Sequence, residues 1–341
     1  MRKKVNLSSN KLSTAITTIF IISIITSIFA IKMISSSPDI TDTPEWQAKH
    51  NKDNNSPINN SSTGNNNSGD SNPYDFEYEI VNSNVTITKF TGSSGTFSIP
   101  RYCENKLVTK IGYEAFYNCT NLRIITIPDS VTSIEDYAFK GCTGLTSVTI
   151  GNSVTSIGSS AFEDCFKLVE VYNKSSLNIT KGSSNNGDVG YYAKDIYTEP
   201  FESKLSTDEN GFIIYTDNDV VSLIGYTGAE TNLVLPDSIT EINQGAFFYC
   251  TGLTSVTIPD SVTSIGEQAF YGCTGLTSVT IPNSVTSIRS YAFYGCKNLT
   301  SVTFRNTSNW KIDGTNITVT NPKQNAIYLH STYPGKNWNR G

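Results

Sequence analysis

The fold of this chain is decided by a stretch of 23 residues, Leu253-Thr-Ser-Val-Thr-Ile-Pro-Asp-Ser-Val-Thr-Ser-Ile-Gly-Glu-Gln-Ala-Phe-Tyr-Gly-Cys-Thr-Gly275, which begins again at Leu276. The alternation of Val256, Thr257 and Ile258 is typical of a β-strand with its aliphatic side chains turned inward. Pro259 cannot donate a hydrogen bond to a sheet, so it indicates the end of that strand. The rest of the stretch predicts a turn and a second extended segment that brings the Ala-Phe pair into a core.

The same period of 23 residues recurs in two parts of the chain. Each copy carries an Ala-Phe pair followed by a cysteine. One coil of this length cannot bury its own aliphatic side chains, but stacked coils bury them against each other. The sequence therefore predicts a β-rich solenoid. The marker cysteines are Cys119, Cys142 and Cys165 in the first part and Cys250, Cys273 and Cys296 in the second.

These motifs resemble a known bacterial family. A Leu-x-x-Val-x-Ile-Pro strand followed by Val-Thr-Ser-Ile-Gly, Ala-Phe and Cys is similar to the BspA-like leucine-rich repeats of surface proteins, and the resemblance covers about residues 74–304. The chain departs from the general leucine-rich consensus because Ser occupies the expected Asn place and Val follows it directly. The resemblance implies a leucine-rich-repeat solenoid and a role in adhesion.

Both parts of the chain open with a related unit. The segment that begins at Phe212 repeats the segment that begins at Phe76, 136 positions later. Val221 corresponds to Val85 at the same interval. In each copy, two segments with the alternating pattern of a β-strand flank a turn of Asn and Asp residues, which predicts a β-hairpin. Because terminal coils of a solenoid need an atypical outer face, we expect each hairpin to cap a stack.

The repeats and hairpins divide the outer part of the chain into four regions. We predict leucine-rich-repeat block 1 at residues 74–172, a connecting island at 173–210, block 2 at 211–304, and a C-terminal cap and tail at 305–341. Within the island, residues 191–197 predict a short strand or helix beside the solenoid. In the last region, Trp310 and residues 317–319 are expected to cover the final coil, with the last residues loose. Whether the two blocks stack continuously is left open.

The N-terminal residues predict export. A basic, cytoplasmic N-terminus at residues 1–12 precedes one membrane-inserting helix at 13–34, and a disordered Asn/Ser-rich linker follows at 35–73. The length of the apolar run favours an uncleaved signal anchor, although Ala30 before a Ser-rich stretch leaves a cleaved signal peptide open. The basic start places everything after the helix outside. We expect a cell-surface protein held in the membrane by this helix, or one secreted after cleavage.

The composition gives no support for catalysis, cofactors or nucleic acid. The net charge is −5, and charged residues are only 16% of the chain without a basic stripe, so nucleic-acid binding has no electrostatic basis. The histidines are His50 and His330 alone, and no Cys-x-x-Cys or phosphate-binding motif occurs. We therefore expect no catalytic, cofactor-binding or metal residues. Asp217-Asn-Asp219 lacks the glycine and distal Glu of a calcium-binding EF-hand and predicts a hairpin turn.

The cysteines predict buried free thiols rather than a metal site. Cysteines in register on stacked coils have parallel side chains, whereas a disulfide needs a dihedral angle near 90° about its S–S bond. We therefore expect free thiols that pack as small apolar side chains, with occasional disulfides as the open alternative. Cys103 lies in a five-residue excess between Pro100 and the first Ala-Phe pair, so among the cysteines it is the best candidate for an exposed or oddly paired thiol.

Two surface features are candidates for binding. The outward hydroxyls of the strands would form a flat polar face, although exposed Thr is also a good solvated strand residue. The residues that follow Ala-Phe in block 2 form an aromatic column, which could bind sugar rings or a protein, or pack on its own neighbours. In block 1 the same positions hold Tyr117, Lys140 and Glu163. The candidate binding residues are Ser255, Thr257, Ser278 and Thr280 on the strands and Phe248, Tyr271 and Tyr294 in the column.

These features favour a non-catalytic, adhesin-like protein that binds an extracellular protein or polysaccharide. Two alternatives stay open. One is a structural stalk or spacer of the cell envelope. The other is a glycan-active enzyme in the connecting island, for which Glu199, Glu202, Asp208 and Glu209 supply carboxylates without any distinguishing motif.

Overall fold

The computed structural model describes residues 74–341. The basic N-terminus, the membrane-inserting helix and the linker predicted for residues 1–73 therefore lie outside the described residues. Within residues 74–341, none of the helices is both long enough and apolar enough to span a bilayer. Short strands dominate the described chain and recur every coil, so the predicted β-rich solenoid is confirmed.

Block 1 consists of a hairpin followed by stacked coils. Its strands are β1 Phe76–Val81, β2 Asn84–Phe90, β3 Thr96–Ser98, β4 Tyr102–Cys103, β5 Lys106–Ile111, β6 Ile124–Thr126, β7 Ser133–Ile134, β8 Ser147–Ile150, β9 Ser156–Ile157 and β10 Glu170–Asn173. β1 and β2 pair antiparallel. One sheet then runs β1-β2-β5-β7-β9, while a second runs from β3 through β6 and β8 to β10. Parallel pairing places Ser133 beside Ser156 and Ile134 beside Ile157, so equivalent residues of successive coils are neighbours.

The connecting island continues the stack. It contains β11 Asp195–Tyr197 and β12 Leu205–Thr207. β11 pairs parallel with β10, in line with the strand alternative for this segment, and extends the second sheet of block 1. β12 pairs antiparallel with the first strand of block 2, so the island forms a strand on each side of the junction.

Block 2 repeats the plan of block 1. Its strands are β13 Phe212–Asp217, β14 Val220–Tyr226, β15 Asn232–Val234, β16 Glu241–Ile242, β17 Ser255–Thr257, β18 Ser264–Ile265, β19 Ser278–Ile281, β20 Ser287–Ile288 and β21 Ser301–Phe304. β13 and β14 form the second antiparallel hairpin. One sheet continues from β14 through β16 and β18 to β20, and the other runs β15-β17-β19-β21.

Phenylalanine ladders hold the coils together. The rings of Phe116, Phe139 and Phe162 stack with centroids 4.7 and 4.8 Å apart. These distances match the spacing of neighbouring β-strands, about 4.8 Å, because each ring belongs to one coil. Full burial of each such side chain stabilises the fold by roughly 2–3 kcal/mol. Phe247, Phe270 and Phe293 form the same ladder in block 2, with both centroid distances 5.0 Å.

The two blocks stack through side chains rather than through a continuous sheet. Within residues 74–341, no strand of block 1 pairs with a strand of block 2. Instead, Val169 of block 1 packs against Ile213, Tyr215 and Ile224 of the second hairpin in a separate apolar cluster, with Leu205 of β12 at its margin. The stack is therefore continuous in packing, while both sheets are interrupted at the junction.

A buried carboxylate fixes the island at this junction. Glu170 is only 1% exposed, and its oxygens accept hydrogen bonds from the Ser203 hydroxyl and the Lys204 backbone N–H, both at 2.7 Å. Burial raises the pKa of Glu170 above its ordinary value. The bonds satisfy a polar group that would otherwise be costly to bury, and they tie residues 203–204 to β10.

The C-terminal region closes the last coil. It comprises β22 Trp310–Ile312, β23 Thr315–Asn316, a short helix α1 Pro322–Ile327, a π-helical turn Tyr328–Thr332 and β24 Trp338–Arg340. The Trp310 ring packs 4.9 Å from that of Phe304, in line with the predicted position of Trp310 over the last coil. The expectation of loose final residues is wrong, because Trp338 is 1% exposed and β24 pairs antiparallel with β20 and β22. This pairing covers a sheet edge that would otherwise be exposed.

Candidate binding surface

Five of the seven cysteines are buried, and Cys119 and Cys250 are partly exposed. All seven are free thiols, in line with the predicted ladder. The thiol of Cys142 donates to the carbonyl oxygen of Phe116 at 3.0 Å, and that of Cys273 donates to Phe247 at 3.1 Å. Burial raises the pKa of Cys142, and a hydrogen bond with Cys296, followed by burial, raises the pKa of Cys273. Because the thiolate is the reactive form, these thiols are inert.

Cys103 is buried, so the expectation that it is exposed or oddly paired is wrong. The five-residue excess forms the antiparallel pair β4 and β5, whose turn residues Glu104 and Asn105 have positive φ angles. This turn places the thiol under the Tyr74 and Tyr78 side chains with no exposure to solvent. Burial raises its pKa to about 11.

The predicted hydroxyl face exists on the sheet β15-β17-β19-β21. Parallel register aligns Ser255 with Ser278, and Thr280 with Thr303 on the next strand. Thr257, Ser278 and Thr280 are exposed, whereas Ser255 is half-buried and donates its hydroxyl to Asn232 Oδ1 at 2.8 Å. The face therefore presents rows of hydroxyl groups about 4.8 Å apart. The Ser255 hydroxyl is already hydrogen-bonded within the protein.

The predicted aromatic column is also formed. The Phe248 and Tyr271 rings stack at 5.1 Å with planes 22° apart, and Tyr271 and Tyr294 follow at 5.3 Å and 47°. The backbone N–H of Tyr249 donates to the Tyr271 carbonyl at 2.8 Å, which fixes the spacing of adjacent coils here. Phe248 and Tyr271 therefore cover each other's facing surfaces, whereas the Tyr294 ring is tilted against that of Tyr271.

The column is part of a longer aromatic strip that includes five further residues. Phe166 of block 1 contacts Phe248 at 4.7 Å, and Tyr192 contacts Phe166 at 5.5 Å. The strip thus crosses the junction. Four of its tyrosines are well exposed: Tyr191 at 50%, Tyr249 at 58%, Tyr291 at 40% and Tyr294 at 41%. The aromatic strip comprises Phe166, Tyr191, Tyr192, Phe248, Tyr249, Tyr271, Tyr291 and Tyr294.

Sequence reasoning missed those five residues for two reasons. Tyr249 and Tyr291 flank the Ala-Phe pairs of their coils, so a comparison of neighbouring repeat positions could have found them. Phe166, Tyr191 and Tyr192 belong to the last coil of block 1 and to the island, and they join the strip only because the two blocks stack. No local pattern reports that contact.

The same column in block 1 has a different character. Lys140 Nζ lies 2.6 Å from Glu163 Oε2, with both side chains partly exposed. The hydrogen bond between them raises the pKa of Lys140 and lowers that of Glu163. An ion pair thus occupies two of the three positions that are aromatic in block 2, and Tyr117 is exposed at the third.

The carboxylates considered for an enzyme serve as surface or turn residues. Glu199, Glu202 and Glu209 are exposed. Asp208 Oδ1 accepts hydrogen bonds from the backbone N–H groups of Asn210 and Phe212 at 3.0 and 2.8 Å, so it holds the turn between β12 and β13. The residues 217–219 form the predicted hairpin turn, which is confirmed by the left-handed Asn218 between β13 and β14.

Two depressions of the described surface are open and lined mainly by polar residues. One, of roughly 460 Å³, is lined by Lys194, Glu241, Glu267 and Arg289. Lys194 Nζ lies 2.7 Å from Glu241 Oε1, which also accepts from the Ser222 hydroxyl. In the part of the chain that the structure describes, no group of three His, Cys, Asp or Glu side chains could hold a metal ion. The aromatic strip therefore stands out as the candidate functional site.

Stacked 23-residue coils with phenylalanine ladders define this protein as a leucine-rich-repeat solenoid. The chain belongs to the BspA-type leucine-rich-repeat family, whose model matches six copies of the repeat at residues 82–186 and 226–323, more than half of the chain. No curated protein matches the chain.

Solved bacterial leucine-rich-repeat proteins are similar to this chain. One from T. pallidum is 23% identical, with 67% of this chain and 79% of that chain covered and a TM-score of 0.28. A leucine-rich cell surface protein from Faecalibacterium prausnitzii is 19% identical, with 74% and 96% covered and a TM-score of 0.26. A third, from Eubacterium ventriosum, is 22% identical, with 67% and 70% covered and a TM-score of 0.36.

Proposed function

We propose that this chain is a non-catalytic, adhesin-like protein of the cell surface that binds an extracellular partner through the aromatic strip. The observation that carries the proposal is the continuous series of ring contacts from Tyr191 to Tyr294, which leaves four tyrosines at least 40% exposed. Exposed apolar patches on soluble proteins mark interaction sites, and tyrosine is enriched among the residues that dominate binding.

The arrangement of the rings favours a protein partner over a polysaccharide. Sugar rings bind by stacking on an aromatic face, but Phe248 and Tyr271 cover each other's facing surfaces. Ring edges and phenol hydroxyls instead suit the mixed apolar and hydrogen-bonding contacts of a protein interface. Because each ring is already held by its neighbours, little side-chain entropy is lost on binding.

The predicted export supports the same proposal. The apolar residues 13–34 behind a basic start would hold the solenoid outside the cell as a signal anchor, or would release it after cleavage. Membership of the BspA-type family is in keeping with a surface location. The protein then engages the membrane through its N-terminal helix and its extracellular partner through the repeats, and it does not bind nucleic acid.

The test is an array of matrix proteins and glycans probed with the purified full-length chain. We expect saturable binding to a protein. The double substitution Tyr271→Ala and Tyr294→Ala should weaken it by about tenfold or more, since each lost anchor costs on the order of 1 kcal/mol or more. The matched control is Tyr113→Ala with Tyr117→Ala, two exposed tyrosines of block 1, which should bind as the unaltered protein does. Absence of any saturable partner would favour the stalk, and equal binding by both variants would remove the strip from the site.

A further inference from the structure

The aromatic strip is bordered by carboxylates at its block 1 end. The Phe162 N–H donates to the Gly187 carbonyl at 2.7 Å, which places residues 187–188 on the coil next to residues 162–164. The Tyr191 N–H in turn donates to the Asp188 carbonyl at 2.9 Å. Glu163, Asp164 and Asp188 therefore lie together where the strip begins.

These three carboxylates repel each other. Partial burial and the charge of Glu163 raise the pKa of Asp164. Partial burial, Glu163 and Asp164 raise that of Asp188. Lys140 offsets part of this charge, but its ammonium group is bonded to Glu163 at 2.6 Å. Negative charge at Asp164 and Asp188 is thus left for a partner to neutralise.

The negative field reaches the aromatic rings themselves. Burial, and then the charges of Asp164 and Glu267, raise the pKa of Tyr192. This ring contacts both Tyr191, at 4.8 Å, and Phe166, at 5.5 Å. Asp164 of block 1 and Glu267 of block 2 are thus both near enough to Tyr192 to act on its ionisation.

Given the proposed function, we infer that the partner bound by the strip is a protein segment that carries arginine side chains. The guanidinium group is planar, stacks on aromatic rings and donates paired hydrogen bonds to carboxylates. A guanidinium group can therefore stack on the aromatic rings of the strip and also bind the neighbouring carboxylates of Asp164 and Asp188. An acidic segment or an anionic polysaccharide would meet charge of its own sign.

Synthetic peptides test the inference on the full-length chain. The probes are three fluorescent, amidated decapeptides in which glycine alternates with arginine, lysine or glutamate. We expect the arginine peptide to bind most tightly, the lysine peptide several-fold more weakly, and the glutamate peptide not at all. Binding of the arginine peptide should weaken as sodium chloride is raised from 50 to 300 mM, because exposed charges are screened.

Variants then locate the site. Asp164→Asn with Asp188→Asn should weaken arginine-peptide binding by about tenfold. Both residues have left-handed φ angles, 62° and 68°, which asparagine tolerates as aspartate does. The matched control is Glu77→Gln with Glu79→Gln, which removes the same charge from exposed residues of β1 and should leave binding unchanged.

The outcomes separate the inference from the proposed function. Equal binding of the glutamate and arginine peptides, or an unchanged affinity in the Asp164→Asn, Asp188→Asn variant, overturns the inference. If binding of the protein found on the array is still weakened by the Tyr271→Ala, Tyr294→Ala variant in that case, the proposed function stands without the inferred arginine preference. Loss of arginine-peptide binding in both the aspartate and the tyrosine variants supports the inference.

Discussion

The two hairpins of the molecule share a backbone and differ in what lies outside it. β1 and β2 pair as β13 and β14 do, and both carry a register shift at the same place, after Glu77 in the first and after Ile213 in the second. Yet Glu77 and Glu79 are exposed, whereas Ile213 and Tyr215 are 6% and 2% exposed. The outer face of the second hairpin is apolar because Val169 of block 1 packs on it.

The second strands of the hairpins differ in the same way. Thr88 and Lys89 of β2 correspond to Ile224 and Gly225 of β14. Ile224 is fully buried, and a Cβ atom on Gly225 would lie 3.2 Å from Lys167 Nζ, so the glycine makes room for that ammonium group. Burial lowers the pKa of Lys167. A hairpin of this kind therefore carries charged residues where its outer face is exposed and apolar residues where that face packs against another stack.

The largest effect should come from a charge placed on the joining face. Ile224→Asp buries a carboxylate without a partner, so we expect it to destabilise block 2 by about 4 kcal/mol. The equivalent change on the first hairpin, Thr88→Asp, should cost less than about 1 kcal/mol because the site is partly exposed. Urea unfolding of the full-length chain, followed by circular dichroism, measures both. Equal losses would contradict the distinction between the two faces.

A smaller effect should come from acid at the same junction. Asp195 accepts a hydrogen bond from the Tyr215 hydroxyl and lies 2.8 Å from Lys204 Nζ. Partial burial raises its pKa, but the hydrogen bonds from Lys204 and Tyr215 outweigh burial and hold the pKa well below the usual range. The stabilisation is therefore present above the unfolded pKa, near 3.9, and is lost as the pH falls below it.

The variant Asp195→Asn should lose about 2 kcal/mol at pH 7. It should also be less sensitive than the unaltered chain to a further fall from pH 5 to pH 2.5. Asp260→Asn is the control, because the ion pair of Asp260 with Arg305 is well exposed and should contribute little. Thermal unfolding over this pH range measures the difference. If both variants respond to acid alike, Asp195 does not stabilise the junction.

The smallest effect is expected in the column of block 1. Glu163→Gln breaks the ion pair with Lys140. The Lys140 side chain is 27% exposed and the Glu163 side chain is 41% exposed. We expect a loss below about 1 kcal/mol, since such pairs are solvated and screened by salt. The change in melting temperature at low and high salt measures it. A loss above about 2 kcal/mol would mean that this pair holds the coils together as the aromatic column does in block 2.

Local repetition explains how far the sequence predicts the fold. The 23-residue period and the phenylalanine and cysteine ladders are visible because each coil meets its own copy. The burial of Cys103 and the position of Trp338 were not predicted, since a five-residue hairpin and a strand without periodicity decide them. Three members of the column were chosen from the sequence. Phe166 and Tyr192 join them only across the junction.

The interruption of both sheets at the junction has a consequence for how such chains can lengthen. A strand ladder that ran through the whole stack would require every insertion to keep the register of two sheets. A side-chain junction requires instead that the incoming hairpin present apolar residues at the positions of Ile213, Tyr215 and Ile224 to a neighbour such as Val169, beside polar groups such as Glu170 and Asp195 that find partners there. Duplication of the gene segment for one block, with substitutions at a few residues on the outer face of its hairpin, therefore adds a whole block. Such a chain can lengthen by blocks rather than by single coils.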